Sequence, residues 1–467
     1  KGGAFYAYCS DKSKILALRS AWSLTILQLF PGLVQCDALV SAEELDDALQ
    51  QGHEQLAQSR NTPAINLPLA TAISQRSSRS GKQAVINSKR EPGKESEALD
   101  IDTQMHRAFY VASSKNGSMA LHDKFTPESL DKPLKYESSF DSFEKRDLAL
   151  IHIDGNGLGM LLIALKKQLK GKSEQQYRQA FRQFSAALEA ATQAAAKEAT
   201  AKVLPIVNSG ENSLVALRPI VLGGDDVTLF IKAEAALEFA NTFCVAFARE
   251  SKLELASLVN QYTDLPKQLS ASGAIVYHKV NHPFIQMHHL VEDMCAYAKA
   301  LTKSVTSKEK AVGPAVIAQI RVGNASQQDG EALLKQNQHC ELREFSSEFP
   351  NGLYLGQSRY FVQNDAEFSQ TKAQHFLPLQ QLLNLSLEDN AVVSMAKWRQ
   401  MATHIMTNDL AEAKRIYKRA LTLYEKRGDL RDFYAALDAL CPSDYQRKDW
   451  IFSKQESDGK PAHSFTV

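Results

Sequence analysis

Paired cysteines are missing from this chain. Six cysteines are spread singly over 467 residues, with no Cys-x-x-Cys among them, so neither a zinc ribbon nor a dense disulfide framework is indicated. Isolated thiols of this kind read as buried side chains in a reducing compartment. No charge of one sign is in excess either, with Lys+Arg 54 against Asp+Glu 53. That balance removes any general electrostatic affinity for nucleic acid and leaves only a local surface for it. No apolar run approaches the roughly 20 residues that span a bilayer, and the first residues lack the charged-then-apolar layout of a signal peptide. The expected location is the cytoplasm, with no membrane partner. Because the chain begins with Lys1, further residues are expected ahead of it. A P-loop is also absent: Gly171-Lys172-Ser173 would need a glycine where Lys166 stands.

What the chain does contain is Arg218-Pro-Ile-Val-Leu-Gly-Gly-Asp-Asp-Val-Thr-Leu-Phe-Ile231, two apolar runs joined by Gly223-Gly224 and followed at once by Asp225-Asp226. The pattern predicts a β-hairpin, with the glycines supplying the positive φ of a tight turn. Adjacent carboxylates at such a tip repel one another unless a cation lies between them. A third carboxylate is expected from Leu148-Ala-Leu-Ile-His-Ile153, a strand that ends in Asp154-Gly-Asn-Gly-Leu-Gly159. Strand, Asp, helices and then an acidic hairpin would bring Asp154, Asp225 and Asp226 together. Mg²⁺ or Mn²⁺, as a hard cation, suits such an all-oxygen set. Gly155, Asn156, Gly157 and Gly159 fall where strand hands over to helix, which predicts backbone N–H groups open to phosphate.

These two motifs resemble the second palm domain of the large polymerase/cyclase subunit of type III CRISPR effector complexes and its stand-alone relatives, and more distantly GGDEF diguanylate cyclases. The resemblance implies a metal-dependent nucleotidyltransferase that joins nucleoside triphosphates, ATP first among them, into cyclic oligonucleotide second messengers for antiviral defence. It implies Asp154, Asp225 and Asp226 as catalytic metal ligands. The nucleotide would be held by Gly155, Asn156, Gly157, Gly159, Gly223 and Gly224, with Lys299, or Lys303 one turn on, at the triphosphate. An RNA activator, partner protein subunits and a homo-oligomer all remain open as partners. Two alternatives stand beside it: a catalytically silent palm scaffold that binds RNA or protein, and a diguanylate cyclase-like enzyme, which the sequence Asp226-Val227-Thr228 disfavours.

The fold expected is α+β: two tandem ferredoxin-like palm domains, the first degenerate, followed by a C-terminal helical domain. Gly2-Gly3 set over Gly223-Gly224 puts Ala4 and Phe5 in place of the aspartates. A helix over 12–29, a strand over 31–40 and a helix over 43–59 would follow. The expected boundaries are a first palm at 1–115, a connector at 116–147, the catalytic palm at 148–330, a β excursion at 331–369 and helices over 370–467. Residues 77–103 read as a surface loop. A strand over 312–322 is expected to complete the βαββαβ order. His278, His282, His288 and His289 read as a polar loop with no bound ion.

Overall fold

The computed structural model describes residues 6–61, 70–78, 80–89, 96–115, 121–130, 134–136, 147–207, 214–306, 312–322, 340–341, 353–355, 359–362, 400, 404, 409–427, 453–454 and 464–465. The chain divides after Ala120 into two compact units.

The first unit contains helices α1 (Lys12–Leu29), α2 (Leu45–Arg60) and α3 (Ile101–Lys115), with strands β1 (Ile86–Lys89) and β2 (Ser96–Leu99). Asp11 caps α1 by accepting the Ser13 N–H at 2.9 Å. The two strands form an antiparallel ladder from Ile86↔Leu99 to Lys89↔Ser96. Three expectations change here. Residues 31–40 are irregular rather than a strand. The stretch 77–103 is not a loop but carries the β1–β2 hairpin and the start of α3. Asp100 is the missed signal for that helix, since its carboxylate accepts the Thr103 N–H at 3.1 Å in the manner of an N-cap. Among the described residues this unit has two paired strands, not the four-stranded sheet of a ferredoxin-like palm. The Gly2–Phe5 segment on which the duplication rests lies outside the described residues.

The second unit is built on a six-stranded sheet. Its strands are β4 (Asp147–Gly155), β6 (Leu217–Gly223), β7 (Asp226–Lys232), β8 (Ala271–Lys279), β9 (Val316–Arg321) and β12 (Arg359–Phe361). The short strands β3 (Lys135–Tyr136) and β5 (Leu214–Val215) pair in parallel beside it, and β10 (Cys340–Glu341) pairs antiparallel with β11 (Leu353–Leu355). The sheet order is β12-β9-β8-β4-β7-β6. Within it, β8-β4-β7-β6 is wholly antiparallel, the 4-1-3-2 arrangement of a ferredoxin-like fold.

The ferredoxin-like order is therefore complete at β8. The strand expected over 312–322 is an addition, β9, lying parallel to β8 with a helix between them, as parallel neighbours require. Pairing of β12 with β9 carries the sheet past residue 330.

Helices α4 (Leu158–Leu169) and α5 (Glu174–Val207) join β4 to the hairpin. Helices α6 (Ala236–Glu254) and α7 (Ala256–Gln261) join the hairpin to β8, and α8 (Phe284–Val305) joins β8 to β9. Alternation along β4 explains why both sheet faces are covered. Leu148 and Leu150 pack with Val276, Met294 and Ala298 in the core beneath α8, while Ala149, Ile151 and Ile153 are buried on the other face. On α6, Phe239, Phe243 and Phe247 recur every four residues and stack at 6.3 and 6.1 Å. Full burial of each such side chain contributes about 1.5–3 kcal/mol. Helix α9 (Leu410–Arg427) falls in the expected helical C-terminus, but that stretch is not helical throughout: Ser453–Lys454 and Ser464–Phe465 are short strands that pair with β11. The helix expected over 430–440 lies outside the described residues.

Candidate metal centre

At the carboxyl end of β4 the strand ladder pairs Asp154 with Ser272 and Gly155 with Ala271. Next to it, Gly223 pairs with Asp226, leaving Gly224 and Asp225 as a two-residue hairpin loop. Gly224 takes φ 64°, a conformation that disfavours any side chain. Ligand atoms of Asp154, Asp225 and Asp226 all come within 4.8 Å of one another. Gly155 makes this approach feasible, because a Cβ there would stand 2.8 Å from Asp225 Oδ2 and 2.9 Å from Asp225 Cβ.

Lys299, on the face of α8 turned to β4, donates to Asp154 Oδ2 and to the Gly155 carbonyl at 2.9 Å. The pair is partly sheltered, at 19% exposure for Lys299 and 32% for Asp154. Burial works against the charged form of Asp154, but hydrogen bonds with Asp225 and Asp226 and the ammonium of Lys299 outweigh it and hold its pKa below the ordinary value. Asp225 and Asp226 go the other way. Burial first, and then the neighbouring Asp154, push both up to about 7. One lysine does not neutralise three clustered carboxylates. The donor set is all carboxylate oxygen, crowded and short of positive charge, and so fits a divalent cation.

Residues 147–308 match the family model described as Cas10/Cmr2, second palm domain. The chain carries a Cas10-type palm domain. A Cas10-type palm implies nucleotidyltransferase-type chemistry, and the matched segment contains both acidic motifs and Lys299. No curated protein matches the chain.

The residues expected at the nucleotide separate into two groups within this Cas10-type palm. Gly159, Gly223 and Gly224 face open space, with nothing within 4 Å of a Cβ built on each. Gly157 caps α4 at φ 75°, and Lys303 is exposed at the end of α8. Asn156 differs from these. Its N–H is taken by the Ser270 carbonyl at 2.8 Å, and its side chain is 5% exposed and turned to the interior. It therefore does not offer the free N–H expected of it. The four histidines are not one polar loop: His278 is buried on β8, and His288 and His289 lie on α8, where Glu292 is 3.6 and 3.8 Å from their Nδ1 atoms.

Two residues at the site escaped the sequence reading. Thr192, buried on α5, has its hydroxyl within reach of two carbonyls, Leu188 at 2.8 Å and Gly224 at 2.7 Å, and so ties the hairpin tip to the helix. A threonine on the alanine-rich buried face of α5, repeated at Thr200, was the local hint. His152 precedes Asp154 by one strand repeat on the same sheet face, and its Nδ1 bonds Thr228 Oγ1 at 2.9 Å. Burial lowers the pKa of its imidazole.

Proposed function

We propose that this protein is a palm nucleotidyltransferase that condenses nucleoside triphosphates, with ATP preferred, into cyclic oligonucleotides, acting within or beside a type III CRISPR effector complex. The reading is carried by the convergence of Asp154, Asp225 and Asp226 beside Lys299 at the carboxyl end of the interior strand β4 of a Cas10-type palm sheet. In the reaction a 3′-hydroxyl gives up its proton to solvent and its oxygen forms a bond to the α-phosphorus of a second nucleotide. The bridging α–β P–O bond breaks, and pyrophosphate leaves with the electron pair.

Asp154, Asp225 and Asp226 would hold Mg²⁺ or Mn²⁺, which when bound supplies Lewis-acid stabilisation of the phosphoryl oxygens. Lys299 is paired with Asp154 and would balance triphosphate charge. Gly223, Gly224 and Gly159 leave room for the nucleotide in front of the hairpin. A palm that only bound RNA or protein would have no use for three half-buried carboxylates held against their repulsion, which favours the enzyme over the scaffold. The low pKa of Asp154 keeps it anionic at neutral pH, while the raised pKa values of Asp225 and Asp226 make cation binding compete with their protonation.

The test is to incubate the full chain with each labelled nucleoside triphosphate and Mg²⁺ or Mn²⁺, with and without added RNA, and to resolve products by mass. Cyclic adenylate products that vanish in Asp225→Ala/Asp226→Ala support the proposal. Products unchanged by that substitution, or no condensation under any condition, refute it.

A further inference from the structure

We propose that Asn156 is a positioning residue: it locks a buried, uncharged hydrogen-bond chain that fixes Asp154 and Lys299 to one frame behind the carboxylate centre. The inference rests on the metal-site reading above. Asn156 Nδ2 donates to Ser270 Oγ at 2.8 Å and to Ser272 Oγ at 2.9 Å. Ser270 Oγ passes its own proton to the Gly313 carbonyl at 2.6 Å. Ser272 Oγ also accepts the N–H of Val316 at 2.9 Å, so its proton goes to Thr302 Oγ1, 3.0 Å away. Thr302 in turn donates to the Pro314 carbonyl at 3.1 Å. The order starts from the two N–H groups of the amide, with longer approaches, both 3.5 Å, of Asn156 Nδ2 to the Pro314 carbonyl and of Thr302 Oγ1 to the Ala298 carbonyl.

All four side chains are nearly sealed from solvent, Asn156 at 5%, Ser270 at 7%, Ser272 at 0% and Thr302 at 3%. A chain of this kind is rigid when complete, and in low dielectric each lost bond leaves a costly gap.

Its placement ties it to the site. Ser272 is the register partner of Asp154, and Asn156 follows Asp154 by two residues. Gly155, between them, accepts from Lys299, and Thr302 stands about one helical turn beyond Lys299 on α8. The same chain grips the β4–α4 turn, β8, the end of α8 and the start of β9. The distance between Asp154 and Lys299 is thus set from behind, by groups that touch neither metal nor nucleotide. Partners of metal ligands commonly change metal affinity 10- to 100-fold when removed.

The experiment titrates Mn²⁺ into the full chain without nucleotide, following free Mn²⁺ by electron paramagnetic resonance, for Asn156→Ala, Ser270→Ala and the double variant. Thermal unfolding is recorded alongside. Phe247→Leu, in the stacked phenylalanine row of α6 and outside the hydrogen-bond chain itself, serves as the control for general destabilisation. Asn156→Ala and Ser270→Ala should each weaken Mn²⁺ binding about tenfold, and the double variant should be little worse than either, as members of one unit are not additive. Phe247→Leu should lose thermal stability with Mn²⁺ affinity unchanged. Wild-type affinity in both network variants overturns the proposal, as does an equal loss in Phe247→Leu. If Asn156→Ala lacks a cooperative transition, Ser270→Ala alone decides. Absence of Mn²⁺ binding in the wild type sinks the metal-site reading itself.

Discussion

Replacing Asp225 by Asn should stabilise the metal-free protein, and the gain should depend on pH in a direction fixed by the site. The carboxyl of Asp225 is raised from 3.8 to about 7 in the folded chain by burial and by Asp154. Between those values the folded state keeps a proton that the unfolded state has released, so stability falls as pH rises through this window and levels off above it. Each pH unit corresponds to about 1.4 kcal/mol, and the full window therefore bounds the effect at about 4 kcal/mol. Contact with solvent and sharing of the repulsion with Asp226 reduce the expected gain to about 1–2 kcal/mol. For a unit of this size that is roughly 2–8 °C in Tm. The assay is thermal unfolding in chelator at about pH 4 and about pH 8, followed by a repeat with Mn²⁺. Asp225→Asn should melt above the wild type at the higher pH, with a smaller difference at the lower. Mn²⁺ should reverse the order, since only the intact site gains stability by binding it. A variant that melts below the wild type in chelator at the higher pH, or a gain that is the same at both, would refute the assignment of repelling carboxylates.

Asp154→Asn should abolish both nucleotide condensation and Mn²⁺ binding, as measured by product mass and by metal titration. Gly155→Ala should weaken Mn²⁺ binding about tenfold by pushing Asp225 away from β4, because the added Cβ meets Asp225 Oδ2 at 2.8 Å; calorimetric titration checks it, and unchanged affinity would mean the hairpin is held elsewhere. Thr192→Val should lower stability by about 1 kcal/mol through the lost bond to the Gly224 carbonyl and weaken the metal site with it. Lys299→Met should raise KM for the nucleotide more than it lowers kcat if the ammonium meets the triphosphate in ground and transition states alike, and steady-state kinetics reads the split.

The sequence alone located the acidic motifs. An apolar strand ending in Asp154 and a Gly223-Gly224-Asp225-Asp226 hairpin are local patterns. Strand alternation and turn sterics act over a few residues, so the carboxylates, their strands and the main helices of the palm could be read in order. Tertiary structure decided what depends on register and long-range packing. Lys299 and Asp154 are 145 positions apart, and only the fold of α8 over β4 makes them an ion pair. Gly155 looked like a phosphate-facing turn residue, yet it is required by the approach of Asp225. Asn156 looked like its companion, but the pairing of β4 with β8 turns its amide onto Ser270 and Ser272. Strand β9 was legible as a strand but not as an addition beyond β8, because sheet order is a property of which edges meet rather than of any one segment. In the first unit, residues 31–40 are apolar enough for a strand, yet among the described residues none pairs with them. A β-strand exists only with a partner, and nothing in its own residues supplies one.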